Sequence, residues 1–270
     1  MERAYESPPT GSRELTHAYG QGVHVLGDPY ALGMLAKLCS PETTQPAFNE
    51  IVRALYRHLM VPVCNEELPR TLVETPTRMA EKHPGACFRG VVVDPKSDLV
   101  VVDVARAGML PALVCYEMAN RLLDPARVRQ DHVVMARTTD AAGAVTGADI
   151  YGGKIGGSID GATVLLPDPM GATGSSVATV LEHYLERYGA APAKLVCMHL
   201  IVTPRYIRTL KERFEDVVIY TLRVDRGLSD EEVLSSALGA RWSEECGLDD
   251  TQYIVPGGGG FGELMNNSWV

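Results

Sequence analysis

The sequence has no CxxC pair: its six cysteines, Cys39, Cys64, Cys87, Cys115, Cys197 and Cys246, are scattered. At 270 residues that spacing excludes a disulfide-stapled miniature fold and a thiolate metal cage, and it reads as reduced, mostly buried thiols. Positive charge is also in short supply. There are 25 Lys and Arg against 34 Asp and Glu, a net charge of −9, so the electrostatic footprint of a nucleic-acid binder is missing. A local basic pocket for a small polyanion stays open, because net charge says little about one cleft. The N-terminal stretch lacks the apolar core of a secretory signal, and no run of about 18 apolar residues occurs. No membrane association is expected, and the cytoplasm is the default location. The seven histidines show no metal-ligand spacing, and there is no repeat of solenoid type. What remains is an ordinary globular composition, 46% hydrophobic and 22% charged, on a chain long enough to bury a sizeable core.

Residues 1–20 are polar, with Pro8, Pro9 and Gly11, and predict a flexible N-terminal arm. Residues 21–270 are expected to form a single domain. Ile51, Leu55, Tyr56 and Leu59 recur at helical spacing over 46–60, and "FRGVVVDP" reads as a strand ending in a turn. From Asp98 onward a pattern repeats. "DLVVVDVARAGMLPALVCYEMANRLL" is an apolar strand, a loop of small residues and a helix; "DHVVMARTTD" is a short strand; "GATVLLPDPMGATGSSVATVLEHYLERYG" is strand, loop and helix again. "KLVCMHLIVTPRYIRTLKERF" and "EDVVIYTLRVD" continue the series. Strands apolar throughout, alternating with amphipathic helices, predict an open α/β fold with a mainly parallel sheet covered on both faces. Ligands of such folds bind beyond the carboxyl ends of the strands. Two segments break the alternation: a glycine-rich stretch within about 138–160, which reads as a hairpin or lid, and the glycine-rich C-terminal loop at about 253–263.

The stretch Val164–Gly189 carries the most chemistry. Val177, Val180, Leu181, Tyr184, Leu185 and Tyr188 define one helix face, and Gly189 supplies a stop. Thr173, Ser175 and Ser176 stand at the helix start, approached through Gly171 and Gly174. A helix N-terminus reached through glycines offers outward amides and a favourable dipole to a phosphate. "GATGSS" lacks the lysine and spacing of a Walker loop, and no GxGxxG opens this helix. Asp168, at the strand end before the loop, is placed to face the hydroxyls of a ribose 5-phosphate. A capping loop beside a strand-end aspartate, with no ligand, is the plain alternative.

"LLPDPMGATGSS" resembles the phosphoribosyl-pyrophosphate (PRPP) motif of type I phosphoribosyltransferases, in the form found in uracil phosphoribosyltransferases. "DVARAGML", "VVMARTTD", "DIYGGKIGG", "YTLRVDRGLSD" and "YIVPGGGGFG" resemble further segments of that family, in the same order, over about residues 25 to 265. The resemblance implies the type I phosphoribosyltransferase fold, with a β-hairpin lid and a hood from the N- and C-terminal segments. It implies transfer of ribose 5-phosphate from PRPP to uracil, with Mg2+ bound alongside PRPP, in a homo-oligomer. Arg106 and the backbone of Ala107 and Gly108 would hold the pyrophosphate, with Arg137 reaching it from the next strand. Asp168 would hold the ribose hydroxyls, and Pro169, Met170, Gly171, Ala172, Thr173, Gly174, Ser175 and Ser176 would form the phosphate loop. Lys154 would close from the lid. Tyr253, Ile254, Gly257, Gly259 and Gly260 would face the nucleobase. Asp225 reads as either catalytic or a strand-end turn residue, and His183 and His199 as structural.

The chain departs from the family pattern at the base end. "YIVPGGGGFGEL" is shorter than the family's loop and lacks its aspartate. Glu231–Gln252 is an insertion (domain position about 230–252), Gly171 replaces a bulky residue, and the tail runs on as "ELMNNSWV". These departures leave open a different pyrimidine-like base, or a nucleotide-sensing regulator on the same scaffold.

Overall fold

Long apolar segments dictate the sheet. The computed structural model describes residues 14–139, 145–188 and 191–269, with backbone alone for 136–139, 145–149 and 188. In chain order the elements are Val23–Val25 (β1), Pro29–Leu38 (α1), Ala47–Glu67 (α2), Arg70–Pro76 (β2), Cys87–Val93 (β3), Leu99–Ala105 (β4) and Met109–Leu122 (α3). Val128–Thr139 (β5), Val145–Lys154 (β6), Thr163–Pro167 (β7), Met170–Gly171 (β8) and Ser175–Tyr188 (α4) follow. Lys194–Val202 (β9), Pro204–Arg213 (α5), Val218–Val224 (β10), Glu231–Leu234 (α6) and Phe261–Asn266 (α7) complete the chain.

The main sheet has the order β1-β10-β9-β7-β4-β5-β6, with β8 attached to β9. Its pairings are parallel except β5–β6. β4, β7 and β9 are buried nearly throughout, as strands covered on both faces must be. Alternation along β4 sends Leu99 and Val101 to a core shared with α1, α2 and α3. Val100, Val102 and Val104 join the opposite core, with α4 and α5. The expected architecture, a mainly parallel sheet flanked by helices, is the one observed. No helix of the described residues is long and apolar enough to cross a membrane.

Several elements differ from expectation. The helix foreseen over 46–60 continues to Glu67, through Pro62. Leu59, Met60, Val63 and Cys64 are buried on either side of that proline, and their burial outweighs the roughly 3 kcal/mol a mid-helix proline costs. The strand "FRGVVV" is β3, which pairs antiparallel with β2 in a hairpin separate from the main sheet. Residues 1–13 of the expected arm lie outside the described residues. From Glu14 the chain is docked rather than loose: Tyr19 is 2% exposed, stacks edge-on against Trp242 and donates to Glu245 at 2.7 Å. Glu245 also accepts from Arg226 at 2.7 Å, so the insertion closes over a buried ion pair.

The glycine-rich segment supplies β6, which pairs antiparallel with β5, the strand read separately as "DHVVMARTTD"; residues 140–144 between them lie outside the described ones. Fully buried Asp131 fixes the base of this hairpin, accepting from Arg129 Nε at 3.0 Å, from the Gly156 amide at 2.9 Å and from the Tyr184 hydroxyl.

Candidate functional site at the carboxyl edge of the sheet

The loop after β7 is laid down on the end of β9 and the start of α5. The Asp168 amide donates to the Met198 carbonyl at 3.0 Å. The Pro169 carbonyl accepts from the Leu200 and Ile201 amides, both at 3.1 Å, and the Gly171 carbonyl from the Thr203 amide at 2.9 Å. The Thr203 hydroxyl donates to the Ala172 carbonyl at 2.6 Å, and His199 Nδ1 donates to the Asp168 carbonyl. The Asp168, Pro169, Gly171 and Ala172 carbonyls are thus taken by the protein. The amides of Ala172, Thr173 and Gly174 have no partner among the described residues. α4 begins at Ser175, whose amide donates to Thr173 Oγ1 at 3.3 Å. Unpaired amides ahead of a 14-residue helix, with the positive end of its dipole, make an anion cradle.

Two glycines let the loop press this closely. Gly174 has φ +82°, and a Cβ there would lie 3.0 Å from Thr209 Cβ and 3.2 Å from the Tyr206 carbonyl oxygen. A Cβ on Gly171 would come within 2.8 Å of Val202 Cγ1 and 2.9 Å of the Tyr206 ring. The bulky residue of the family pattern is absent because Tyr206, fully buried, fills that volume. Asp168 turns its Oδ1 back onto the Met170 amide at 3.0 Å, an Asx turn that holds the strand end.

β4 delivers the second loop. The Ala105–Arg106 peptide is cis. A Cβ on Gly108 would lie 2.8 Å from the Val104 carbonyl oxygen and 3.2 Å from that of Pro167. Glycine is therefore required there, and the Arg106 loop lies against the end of β7, next to Asp168. Arg106 Nη1 donates to Ser268 Oγ at 2.9 Å and to the Ser268 carbonyl at 3.2 Å, and Nη2 is 3.6 Å from Glu263 Oε1. Below it, a pocket of about 360 Å3 is bounded by Arg106, Met265 and the Asp103–His132 pair. Burial holds the Asp103 carboxyl above its ordinary range, against the opposing effect of His132.

The hairpin residues are less close. Arg137 lies in β5 opposite Ala148, and its side chain is outside the described residues. Lys154 is exposed and pairs with His132, which itself pairs with Asp103 of β4. Because the hairpin is antiparallel, its last residue sits at the base. Lys154 is two strands from β4 and two residues short of the level of Ala105.

The C-terminal loop is anchored to β10. Arg223 donates to Asp225 through Nε at 2.6 Å and Nη2 at 2.8 Å, and to the Gly257 carbonyl at 2.9 Å. Asp225, 2% exposed, accepts from the Gly257 amide at 2.8 Å. Through these bonds Asp225 anchors the C-terminal loop to β10. Gly257 has φ +56°, and a Cβ there would overlap the Ile254 carbonyl at 2.1 Å. Ile254 is buried and Tyr253 is 53% exposed. Gly259 has φ +82° and Gly260 leads into α7. Phe261 packs edge-on against Phe48, which brings Gly262 alongside Ala107. The Arg106 loop, the Asp168 loop and the C-terminal loop thus meet at one edge.

His199, read from the sequence as structural, holds the Asp168 loop together with Tyr206 and Thr203. The sequence did not single out Tyr206 and Thr203, nor Glu263 and Ser268, which hold Arg106. "TPRY" carried a readable signal: Thr203 caps α5, accepting from the Tyr206 amide at 3.0 Å ahead of a proline at the first helical position. Burial drives the His199 pKa down to about 3, so the ring is neutral. Its Nε2 accepts from the Tyr206 hydroxyl at 2.5 Å, which leaves Nδ1 to carry the proton given to Asp168. Among the described residues no group of three or more His, Cys, Asp or Glu could hold a metal ion.

The model of the family described as uracil phosphoribosyltransferase matches residues 25–241. The uracil phosphoribosyltransferase of Dictyoglomus thermophilum is 30% identical over 217 residues, 80% of this chain and 95% of its own length. That of Thermococcus sibiricus is 27% identical over 212 residues, 78% of this chain and 83% of its own. The AQ2163 protein of Aquifex aeolicus shares the fold, with a TM-score of 0.66, 20% identity, and coverage of 90% of this chain and 97% of that one. With a match over most of its length and its glycine-rich loops gathered at one sheet edge, the chain belongs to the uracil phosphoribosyltransferase family.

Proposed function

We propose that this protein transfers ribose 5-phosphate from PRPP to uracil, giving UMP and pyrophosphate. The observation that carries the reading is the Asp168 loop, whose Asp168, Pro169, Gly171 and Ala172 carbonyls are tied to β9 and α5 while the amides of Ala172–Gly174 are left for an anion. In this reading those amides and the hydroxyls of Thr173, Ser175 and Ser176 take the 5-phosphate, and Asp168 takes the ribose hydroxyls. Arg106, with the backbone of Ala107 and Gly108, takes the pyrophosphate and must exchange Glu263 and Ser268 for it. Arg137 joins it from β5, and Lys154 would need the hairpin to move. Departure of pyrophosphate leaves positive charge on the sugar and negative charge on the leaving group, which a preorganised guanidinium stabilises. Mg2+ would enter with the phosphates of PRPP, and the Asp168 carboxylate is placed to meet it there. A homo-oligomer in the cytoplasm belongs to the same reading.

The base rests on the loop 253–260, which offers mainly backbone groups fixed by Arg223 and Asp225. Its shortened form supports a second reading, a different pyrimidine-like base. Incubation with PRPP, Mg2+ and a panel of nucleobases decides between them. Uracil should consume PRPP fastest and yield UMP. Faster turnover with another base selects the second reading, and no turnover with any base rejects both.

A further inference from the structure

We propose that His199 is a positioning residue for the reaction, holding the Asp168 main chain so that the Asp168 carboxylate stays aimed at the ribose. The inference rests on the phosphoribosyl reading of the Asp168 loop. His199 lies inside an otherwise apolar strand and is fully buried. A polar ring in that place costs free energy unless both nitrogens are paired. Both are: Nδ1 gives its proton to the Asp168 carbonyl, and Nε2 accepts from Tyr206, whose ring stands edge-on at 4.5 Å.

The carbonyl needs this side chain because the backbone ladder bypasses it. The Leu200 and Ile201 amides both go to the Pro169 carbonyl. The two peptide groups of Asp168 are therefore fixed from β9 by different means, the amide by the Met198 carbonyl and the carbonyl by the His199 ring. With Oδ1 on the Met170 amide as well, the Cα frame that aims the carboxylate is set on three sides. Tyr206 acts one step further out. The Asp168 carbonyl can only accept, so Nδ1 carries the proton of the neutral ring, and the Tyr206 hydroxyl donates to the Nε2 left without one, steadying the ring. The Tyr206 ring fills the space beside Gly171, so one residue steadies both the His199 ring and the seat of the loop.

Three variants separate positioning from bulk stability. His199→Leu removes the donor. His199→Asn keeps an amide donor near the Nδ1 position. Tyr206→Phe keeps the aromatic ring and leaves His199 Nε2 without its partner. In steady-state kinetics on the folded proteins, His199→Leu should lower kcat/KM for PRPP by about ten- to a hundredfold, the scale of a small misplacement of a reacting group. KM for the base should move less than about twofold, and His199→Asn should recover most of the loss. Unchanged kcat/KM for PRPP in His199→Leu, or no rescue by His199→Asn, overturns the proposal. Should His199→Leu not fold, His199→Asn against Tyr206→Phe decides. His199→Asn matching the wild type while Tyr206→Phe loses several-fold supports the proposal; the reverse order overturns it. Hydrogen exchange of the ligand-free Asp168 and Met170 amides, the ones the fold pairs, needs no substrate. Faster exchange in Tyr206→Phe confined to that loop supports positioning, and unchanged exchange overturns it. A wild-type protein that fails to bind PRPP rejects the phosphoribosyl reading and leaves this exchange result to decide what His199 does.

Discussion

Gly171 and Tyr206 should behave as one packing unit. A leucine at 171 brings its Cβ to 2.8 Å from Val202 Cγ1 and 2.9 Å from the Tyr206 ring, well inside ordinary contact distance, while Tyr206 is fully buried. Overpacking of that kind costs about 1–3 kcal/mol. Tyr206→Ala removes a buried ring and leaves His199 Nε2 without its donor, which places it at about 3–5 kcal/mol, the range for a large aromatic cut back to alanine. Independent sites would then lose the sum. Here the leucine enters the space the ring vacates, so the double variant should be more stable than that sum by about 1–3 kcal/mol, the size of coupling expected between contacting residues. Urea unfolding of the four proteins, followed by circular dichroism, measures the cycle. The double variant should also bind PRPP more tightly than Gly171→Leu alone. Losses that add to within about 0.5 kcal/mol would refute the packing account, because non-contacting sites add to that precision.

Three further outcomes follow from other contacts. Asp225→Ala leaves Arg223 without its bidentate partner and the Gly257 amide without its acceptor, so it should cost about 3–5 kcal/mol in unfolding and raise KM for the base more than for PRPP; equal effects on both substrates would contradict a base-loop role. His199 is neutral in the fold with a pKa near 3, below its unfolded value near 6.5. Its folded pKa is depressed, so the full stability is present above pH 6.5. As pH falls below that, the unfolded state gains a proton the folded state refuses, and about 1.4 kcal/mol is lost per unit until the folded pKa is reached. Thermal melts from pH 7 to 4 should accordingly show a shallower acid slope in His199→Asn than in wild type, and parallel slopes would contradict it. Glu263→Gln should change stability by less than about 1 kcal/mol, since Arg106 and Glu263 are partly exposed and 3.6 Å apart. It should nevertheless tighten binding of pyrophosphate in calorimetry, because no carboxylate then competes for Arg106; weaker binding would contradict the exchange.

Much of this molecule was legible in its residues. β4, β7 and β9 could be read because a strand buried on both faces admits only apolar side chains, and the loop from Asp168 to Ser176 because anion cradles need glycines and hydroxyls ahead of a helix. The supports of that loop were hidden. His199 is one polar residue in an apolar run, and only its distance to a carbonyl 31 positions earlier gives it meaning. Tyr19 sits in a polar N-terminal stretch, and its burial depends on Trp242 and Glu245 in an insertion that local pattern cannot pair with it. The helix read over 46–60 runs on through Pro62 because the apolar face on both sides of it is buried. Lys154 was placed in the lid by the family resemblance alone, and antiparallel pairing sets it at the base of that hairpin.

Hydrogen exchange at the Asp168–Ser176 loop, with and without PRPP and Mg2+, tests the central claim most directly. The amides of Ala172, Thr173 and Gly174, which have no protein partner among the described residues, should become strongly protected when PRPP is added, and Asp168→Asn should abolish most of that protection. Tight PRPP binding that leaves those three amides exchanging as before would contradict the account.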